Sequence, residues 1–147
     1  MWHPHVTVAT VVEDKGHFLL VREFADGQEV YNQPAGHLEA GETLLEAAIR
    51  ETREETSWLV EPTAILGLNL YTSPQNGITY LRTTFVARPL EQLAAAQLDE
   101  GIIEAVWMTP QEVEAIATQL RSPMVLDDIQ RFHTDIRYPL ELLRHYR

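Results

Sequence analysis

Glu51, Glu54 and Glu55 stand at positions i, i+3 and i+4 of a stretch that reads as a helix, so their carboxylates share an arc of roughly 100°. Three like charges so close repel one another, which a solvated helix face tolerates at modest cost. Convergent carboxylates are also what a hard cation needs: Mg²⁺ takes oxygen ligands at ~2.1 Å and keeps several waters. Ala47, one turn earlier on the same arc, leaves space above them. Arg50 can pair with Glu46 or Glu54, or reach back to Glu42, and so hold the acids in position. Spacing alone fits an exposed acidic face equally well, because acidic helices are common.

The helix carrying these residues reads from Glu42 to Thr56, with Leu44, Leu45, Ala48, Ile49 and Thr52 on the side that should face the core. Upstream, His5 to Val12 and His17 to Phe24 are rich in β-branched and aromatic residues, and Glu13 to Gly16 separate them as in a hairpin. A polar turn at Asp26 and Gly27 leads into Glu29 to Gln33, and the break Pro34-Ala35-Gly36 follows. Downstream, Ile65 to Tyr71 and Ile78 to Ala87 flank a loop whose Asn76-Gly77 pair signals a second hairpin. Ile102 to Met108 adds a strand. Thr109-Pro110-Gln111-Glu112 then matches a capping box with proline at the first helical position, opening a helix to about Leu120. Ser122-Pro123 repeats the signal before Met124 to Phe132, and a last short helix begins at Pro139. The chain reads as a single domain, residues 1–147, with a mixed sheet and helices on its faces, of α+β or α/β type.

Composition narrows the chemistry. At 147 residues, 45% apolar and 22% charged, the chain suits one self-sufficient core. Acids outnumber Lys and Arg 22 to 11, and the net charge of -11 repels a nucleic-acid backbone, so nucleic acid is excluded as the main partner. Phosphorylated small molecules remain suitable where divalent cations cover the carboxylates. The absence of cysteine excludes disulfides, cysteine-held zinc and thiol nucleophiles, so any metal is held by oxygen or imidazole. No apolar run reaches eighteen residues, and Met1-Trp2-His3-Pro4-His5 lacks the basic and apolar regions of a signal peptide. A cytoplasmic address with no membrane partner is the expectation.

The pattern Gly36, five residues, Glu42, seven residues, Arg50-Glu51, two residues, Glu54-Glu55 resembles the signature of the Nudix hydrolases. One position departs from it: Ser57 stands where the family has a glycine, before the apolar Trp58. That glycine would stop the helix in a left-handed conformation, and serine there should cost ~1 kcal/mol. Outside the signature, His5-Val-Thr-Val-Ala, Asn32 to Glu39, Arg121-Ser122-Pro123 and Arg137-Tyr138-Pro139-Leu140 are similar to the NudJ-type phosphatases, a small branch of that family. The resemblance implies an α/β/α sandwich that hydrolyses nucleoside tri- and diphosphates with release of orthophosphate. It also implies action on thiamine-related diphosphates such as hydroxymethylpyrimidine diphosphate. It assigns Mg²⁺, with Mn²⁺ as substitute, to Glu51, Glu54, Glu55 and the backbone carbonyl of Gly36. Cations bridging phosphate oxygens and polarising a water are what an inert phosphoanhydride needs, and a free carboxylate then takes the proton. The catalytic set expected is Arg50, Glu54 and Glu55, with Glu100 as a downstream acid beside the alternatives Asp99 and Glu104.

For the substrate, Arg82, Arg121 and Arg137, and also Arg22, could each offer a phosphate a charge-assisted fork or be plain surface arginines. Tyr31, with Tyr71 and Tyr80, could stack on a ring or be half-buried packing residues. His37 lies in the loop before the helix, while His3 and His5 fit a core or edge role better than a metal pair. The expected partner is a small-molecule nucleotide or diphosphate, and the expected assembly a monomer or homodimer. Two other readings stay open. Pro74 lies roughly where the ADP-ribose and nucleoside-diphosphate-sugar pyrophosphatases place a proline, and the fold could serve as a non-catalytic binding module. The Nudix isomerases require a cysteine this chain lacks.

Overall fold

Two tight turns have positive φ at both central residues, Lys15-Gly16 (51° and 83°) and Asp26-Gly27 (52° and 78°). That is the mirror-image turn whose twist matches a two-residue hairpin. In the computed structural model, which describes residues 1–94 and 98–147, these turns connect β1 (His5–Asp14), β2 (His17–Ala25) and β3 (Gln28–Asn32). There follow β4 (Ala35–His37), α1 (Leu44–Thr56), β5 (Trp58–Thr72), β6 (Thr79–Gln92), β7 (Ile102–Met108), α2 (Pro110–Ala115) and α3 (Met124–Phe132).

The strands form one mixed sheet in the order β3-β2-β1-β6-β5, with β4 paired to β1 and β7 to β2. Among the described strands only β1 and β6 pair in parallel, from His5 opposite Tyr80 to Val12 opposite Ala87. The first hairpin pairs at Glu13–Phe18 and Asp14–His17 and then splays. That leaves the edge of β1 to β4, where Val8 lies opposite Gly36. The glycine of the signature is therefore a sheet residue.

Alternation along the strands gives each face its helices. Val8, Ile65 and Phe85 pack against Ala47 and Ala48 of α1 on one side. Val11, Phe18, Leu20 and Leu66 pack against Val113 of α2 and Val125 and Ile129 of α3 on the other. Each large side chain so buried contributes roughly 1.5–3 kcal/mol. The C-terminal segment is tied to the same body: Tyr138 and Ile65 exchange backbone hydrogen bonds of 2.8 and 2.9 Å, and Leu140 and Leu143 join the α1 cluster.

Three expectations need correction. First, α1 starts at Leu44 because Thr43 and Glu46 form a capping box, which leaves Glu42 in the preceding loop. Second, its fully buried face is Ala47, Ala48, Thr52, Glu55 and Thr56: Ala48 and Thr52 lie there as expected, whereas Leu44, Leu45 and Ile49 are only partly buried, Leu44 and Leu45 packing against the same cluster. Small residues let the helix approach the sheet closely, and Thr10 and Thr52 share a buried hydrogen bond of 2.8 Å at the contact. Ala47 is thus core and opens no space above the acids. Third, the helix opened by the Thr109–Glu112 capping box ends at Ala115. Beyond it, Leu120 bridges to Tyr31, and the Arg121 N–H donates to the Tyr31 carbonyl at 2.8 Å, which draws the chain out of helical geometry.

Candidate active site

Arg50 is the hub of the acidic helix. Its Nε and Nη2 fork onto the two oxygens of Glu42 at 2.6 and 3.0 Å. Nη1 donates to Glu51 at 2.8 Å and Glu54 at 3.1 Å, and Nη2 also reaches the His37 carbonyl at 3.0 Å. All five guanidinium donors thus have a partner. The fork holds the Glu42 carboxyl below its usual range, and the same bonds raise Arg50 further above its own. Glu42 can reach because it precedes the helix, and the Glu39 N–H fixes it at 2.9 Å.

Glu51 lies against the sheet where β4 carries Gly36. A Cβ at Gly36 would fall less than 3.0 Å from all three carboxylate atoms of Glu51, so only glycine admits this approach. Burial pushes the Glu51 carboxyl up, and Arg50 opposes the shift. One oxygen each from Glu51, Glu54 and Asp99 lie within 4.8 Å of one another. Asp99 is brought there by its own N–H, which donates to the Glu54 carbonyl at the end of α1 (3.3 Å). Glu55 does not converge with them. It turns inward on the buried face, accepts the Ala35 N–H at 2.8 Å, and is pushed up to about 9, chiefly by burial. The helix ends at Ser57, with φ of 62° and its N–H on the Arg53 carbonyl at 2.8 Å. The serine therefore adopts the left-handed stop that the glycine would supply.

Beside this cluster a cavity of about 330 Å³ opens, with Gly36, His37 and Glu55 in its lining. Tyr71, Tyr80, Arg82 and Arg121 also line it. Arg121 is paired with Glu23 at 2.7 Å, whereas Arg82 is buried and paired with Asp128 at 2.9 Å. Gln33 also donates to Asp128, at 2.8 Å.

Several candidates are placed elsewhere. Arg137 donates to the carbonyls of Phe132, Thr134 and Ile136 and sits 4.8 Å over the Phe132 ring, so it closes the end of α3 and does not line the cavity. Glu100 is an exposed turn residue, and Asp99 takes the position expected of it. Glu104 is engaged by Arg22 at 3.1 Å. Tyr31 serves through its backbone, and its ring does not line the cavity. His5 shares a hydrogen bond of 3.0 Å with His37, in an edge cluster with Tyr80.

The model of the NUDIX domain matches residues 1–128. The chain belongs to the NUDIX family. It is 42% identical over 144 residues to proteins named Phosphatase NudJ from Escherichia coli K12 and Shigella flexneri, covering 97% of this chain and 92% of theirs. A solved NUDIX hydrolase from Nitrosomonas europaea superposes with a TM-score of 0.95 at 40% identity, covering 98% of both chains. The protein is accordingly a hydrolase acting on phosphoanhydride bonds.

Sequence reasoning passed over Glu23 and Asp128. Both had a signal: Glu23 interrupts the apolar run of β2, and Asp128 falls at i+3 from Val125 on the apolar side of an amphipathic helix. A charge placed so is buried with a partner, and the partners are the two cavity arginines.

Proposed function

We propose that this hydrolase cleaves nucleoside tri- and diphosphates, and small-ring diphosphates such as hydroxymethylpyrimidine diphosphate, with release of orthophosphate. The reading takes residues 1–147 as one NUDIX domain, with Mg²⁺ as cofactor and Mn²⁺ as substitute. The observation that carries it is the convergence of Glu51, Glu54 and Asp99, with Glu51 against the Gly36 backbone that also lines the cavity. An all-oxygen set of anionic donors suits a hard divalent cation. Glu51, Glu54 and Asp99 would hold it, with the Gly36 carbonyl beside them. Bound there, the cation would offset the charge of the phosphate oxygens and acidify a water.

The chain's own residues do the rest. Arg50 fixes Glu51 and Glu54 in one geometry, so the site is ordered before substrate arrives. Glu55, held by the Ala35 N–H and lining the cavity, would take the proton of the attacking water once a cation held by its neighbours lowers its carboxyl from about 9 and leaves it ionised. Arg121, which lines the cavity and bonds Glu23 through Nη1, would meet a phosphate with its remaining guanidinium donors. The partner is thus a small phosphorylated molecule, the address is the cytoplasm, and the assembly is a monomer or homodimer. Pro74 gives no support to the sugar-nucleotide alternative, because it sits exposed in the turn between β5 and β6.

The test is product analysis by ³¹P NMR over nucleoside tri- and diphosphates, hydroxymethylpyrimidine diphosphate and ADP-ribose, with Mg²⁺ and with excess chelator. Orthophosphate from the first two classes, abolished by chelator and restored by Mg²⁺ or Mn²⁺, is the expected result. A preference for ADP-ribose, or full turnover in chelator, would overturn the reading.

A further inference from the structure

The C-terminal segment makes bonds that core packing does not explain. Anchored where Tyr138 pairs with Ile65, it passes through one 3-10 turn, Leu140–Leu142, and crosses the first turn of α1. Leu140 and Leu143 pack there with Leu38, Leu44 and Leu45. Residues 144–147 bury nothing comparable, since all four are exposed. Two of them nevertheless reach the turn between β4 and α1. His145 Nε2 accepts the Leu44 N–H at 3.2 Å, and Arg147 Nη1 donates to the Gly41 carbonyl at 3.1 Å. The same Nη1 lies 3.2 Å from Glu46 Oε1.

Both contacts answer a local need. The first amides of a helix have no partner inside it. In α1, Thr43 supplies its hydroxyl to the Glu46 N–H and its carbonyl to the Ala47 N–H, while the Leu44 N–H goes to His145. Gly41 is held even less by its surroundings. It has φ of 81°, and no atom lies within 4 Å of where a side chain would begin. Arg147 spans this junction, with the loop carbonyl on one side and, on the other, the glutamate that caps the helix.

The geometry of this turn matters because of what it carries. Glu42 follows Gly41 and takes Nε and Nη2 of Arg50, which leaves Nη1 to Glu51 and Glu54. If Glu42 draws back, the freed donors can swing onto those two acids. A guanidinium there competes with a cation for the same oxygens. None of the described residues that line the cavity belongs to the C-terminal segment, so its effect on the reaction passes through the turn.

We propose that His145 and Arg147 are positioning residues, a clamp that fixes the Gly41–Leu44 turn and thereby keeps Glu42 on Arg50 and leaves Glu51 and Glu54 open to the cation. Exposed contacts of this kind add little to global stability. The clamp acts on the turn alone. The inference rests on the proposed function, since it names what holds the metal-binding acids of that site in order.

The experiment measures Mn²⁺ binding by calorimetry, and turnover, for the parent, His145→Ala, Arg147→Ala and His145→Gln. Each alanine variant should bind Mn²⁺ about fivefold more weakly, the change expected for one lost hydrogen bond. The substrate KM at saturating metal should not move, and the melting temperature should stay close to the parent's. Glutamine keeps an acceptor and should restore the affinity. Parent affinity in both alanine variants would overturn the clamp, and so would a glutamine variant as weak as the alanine one. Hydrogen exchange of the Glu42 amide, which bonds the Glu39 carbonyl at 3.2 Å and touches neither clamp residue, reads the turn without metal or substrate. It should speed up in both alanine variants. If the parent binds no Mn²⁺, the proposed function fails, and the clamp stands if this exchange is faster in the variants and falls if it is unchanged.

Discussion

Replacing Gly36 by alanine tests the tightest contact in the site. Gly36 is not among the glycines with positive φ, so the backbone accepts alanine and any effect comes from the added methyl alone. That methyl would sit within the Glu51 carboxylate, which must retreat by about 1 Å or more to reach ordinary contact. The retreat pulls Glu51 off Arg50, now at 2.8 Å, and opens the group it forms with Glu54 and Asp99. A misplacement of about 1 Å costs on the order of 100-fold in rate. Stability should suffer much less, because what moves is the end of a side chain. A loss of about 1 kcal/mol lowers the melting temperature of a chain this size by roughly 2–4 °C. Phosphate release measured against metal concentration, together with a melting curve, gives both quantities. The expected result is a weaker metal requirement curve, a kcat down about 100-fold and a nearly normal melt. Glu51→Asp in the same chain shortens the clashing group and should restore the melt. Wild-type turnover at the wild-type metal requirement would refute the idea that the Gly36–Glu51 contact positions the cofactor. Global unfolding would show that the contact is core packing instead.

Glu54→Gln should reduce turnover by about 100-fold or more at saturating substrate, with an unchanged or slightly higher melting temperature as repulsion on α1 is relieved; near wild-type kcat would remove Glu54 from the site. Arg82→Met should destabilise by roughly 3–5 kcal/mol in urea titration, because Asp128 stays buried without its cation, and Asp128→Leu in the same chain should recover much of the loss. A small effect of the single change would mean the pair is better solvated than its burial implies. Ser57→Gly should raise stability by up to about 1 kcal/mol, or roughly 2–4 °C, with kcat unchanged, since it relieves a left-handed serine. A fall in kcat would give the Ser57 side chain a part in catalysis.

The fold was legible where local chemistry decides it. The Lys15-Gly16 and Asp26-Gly27 turns, the Thr109–Glu112 capping box and the Asn76-Gly77 loop each act over a few residues, and each appears in the structure. Errors arose where a distant partner intervenes. The helix opened at Pro110 stops early because Leu120 and Arg121 are claimed by Tyr31, about ninety residues away in sequence. The first hairpin forms as read, at Glu13–Phe18 and Asp14–His17, but its pairing is short because β4 takes the edge of β1, and hydrophobic alternation carries no record of which neighbour a strand will choose.

The site divides along the same line. That Glu51, Glu54 and Glu55 lie on one helix follows from spacing, but which of them face one another depends on how the helix is rotated against the sheet. The Thr10–Thr52 contact and the two alanines at the interface set that rotation. It sends Glu55 inward to Ala35 and leaves its place to Asp99, a residue from a loop more than forty positions later. The arginines show the complementary case. As sequence, Arg82, Arg121 and Arg137 were each a candidate phosphate contact and a cation in a chain poor in cations. The structure separates them by what already neutralises them: a buried aspartate, a glutamate of the cavity lining, and the carbonyls at a helix end. Arg121 is 42% exposed and bonds the buried Glu23 through Nη1, so it can turn its other donors to a phosphate without leaving Glu23 unpaired, while the Arg82 guanidinium is enclosed with Asp128 in the interior. On the proposed function, phosphate recognition by side-chain cations would therefore fall to Arg121, while Arg82 forms part of the wall of the cavity.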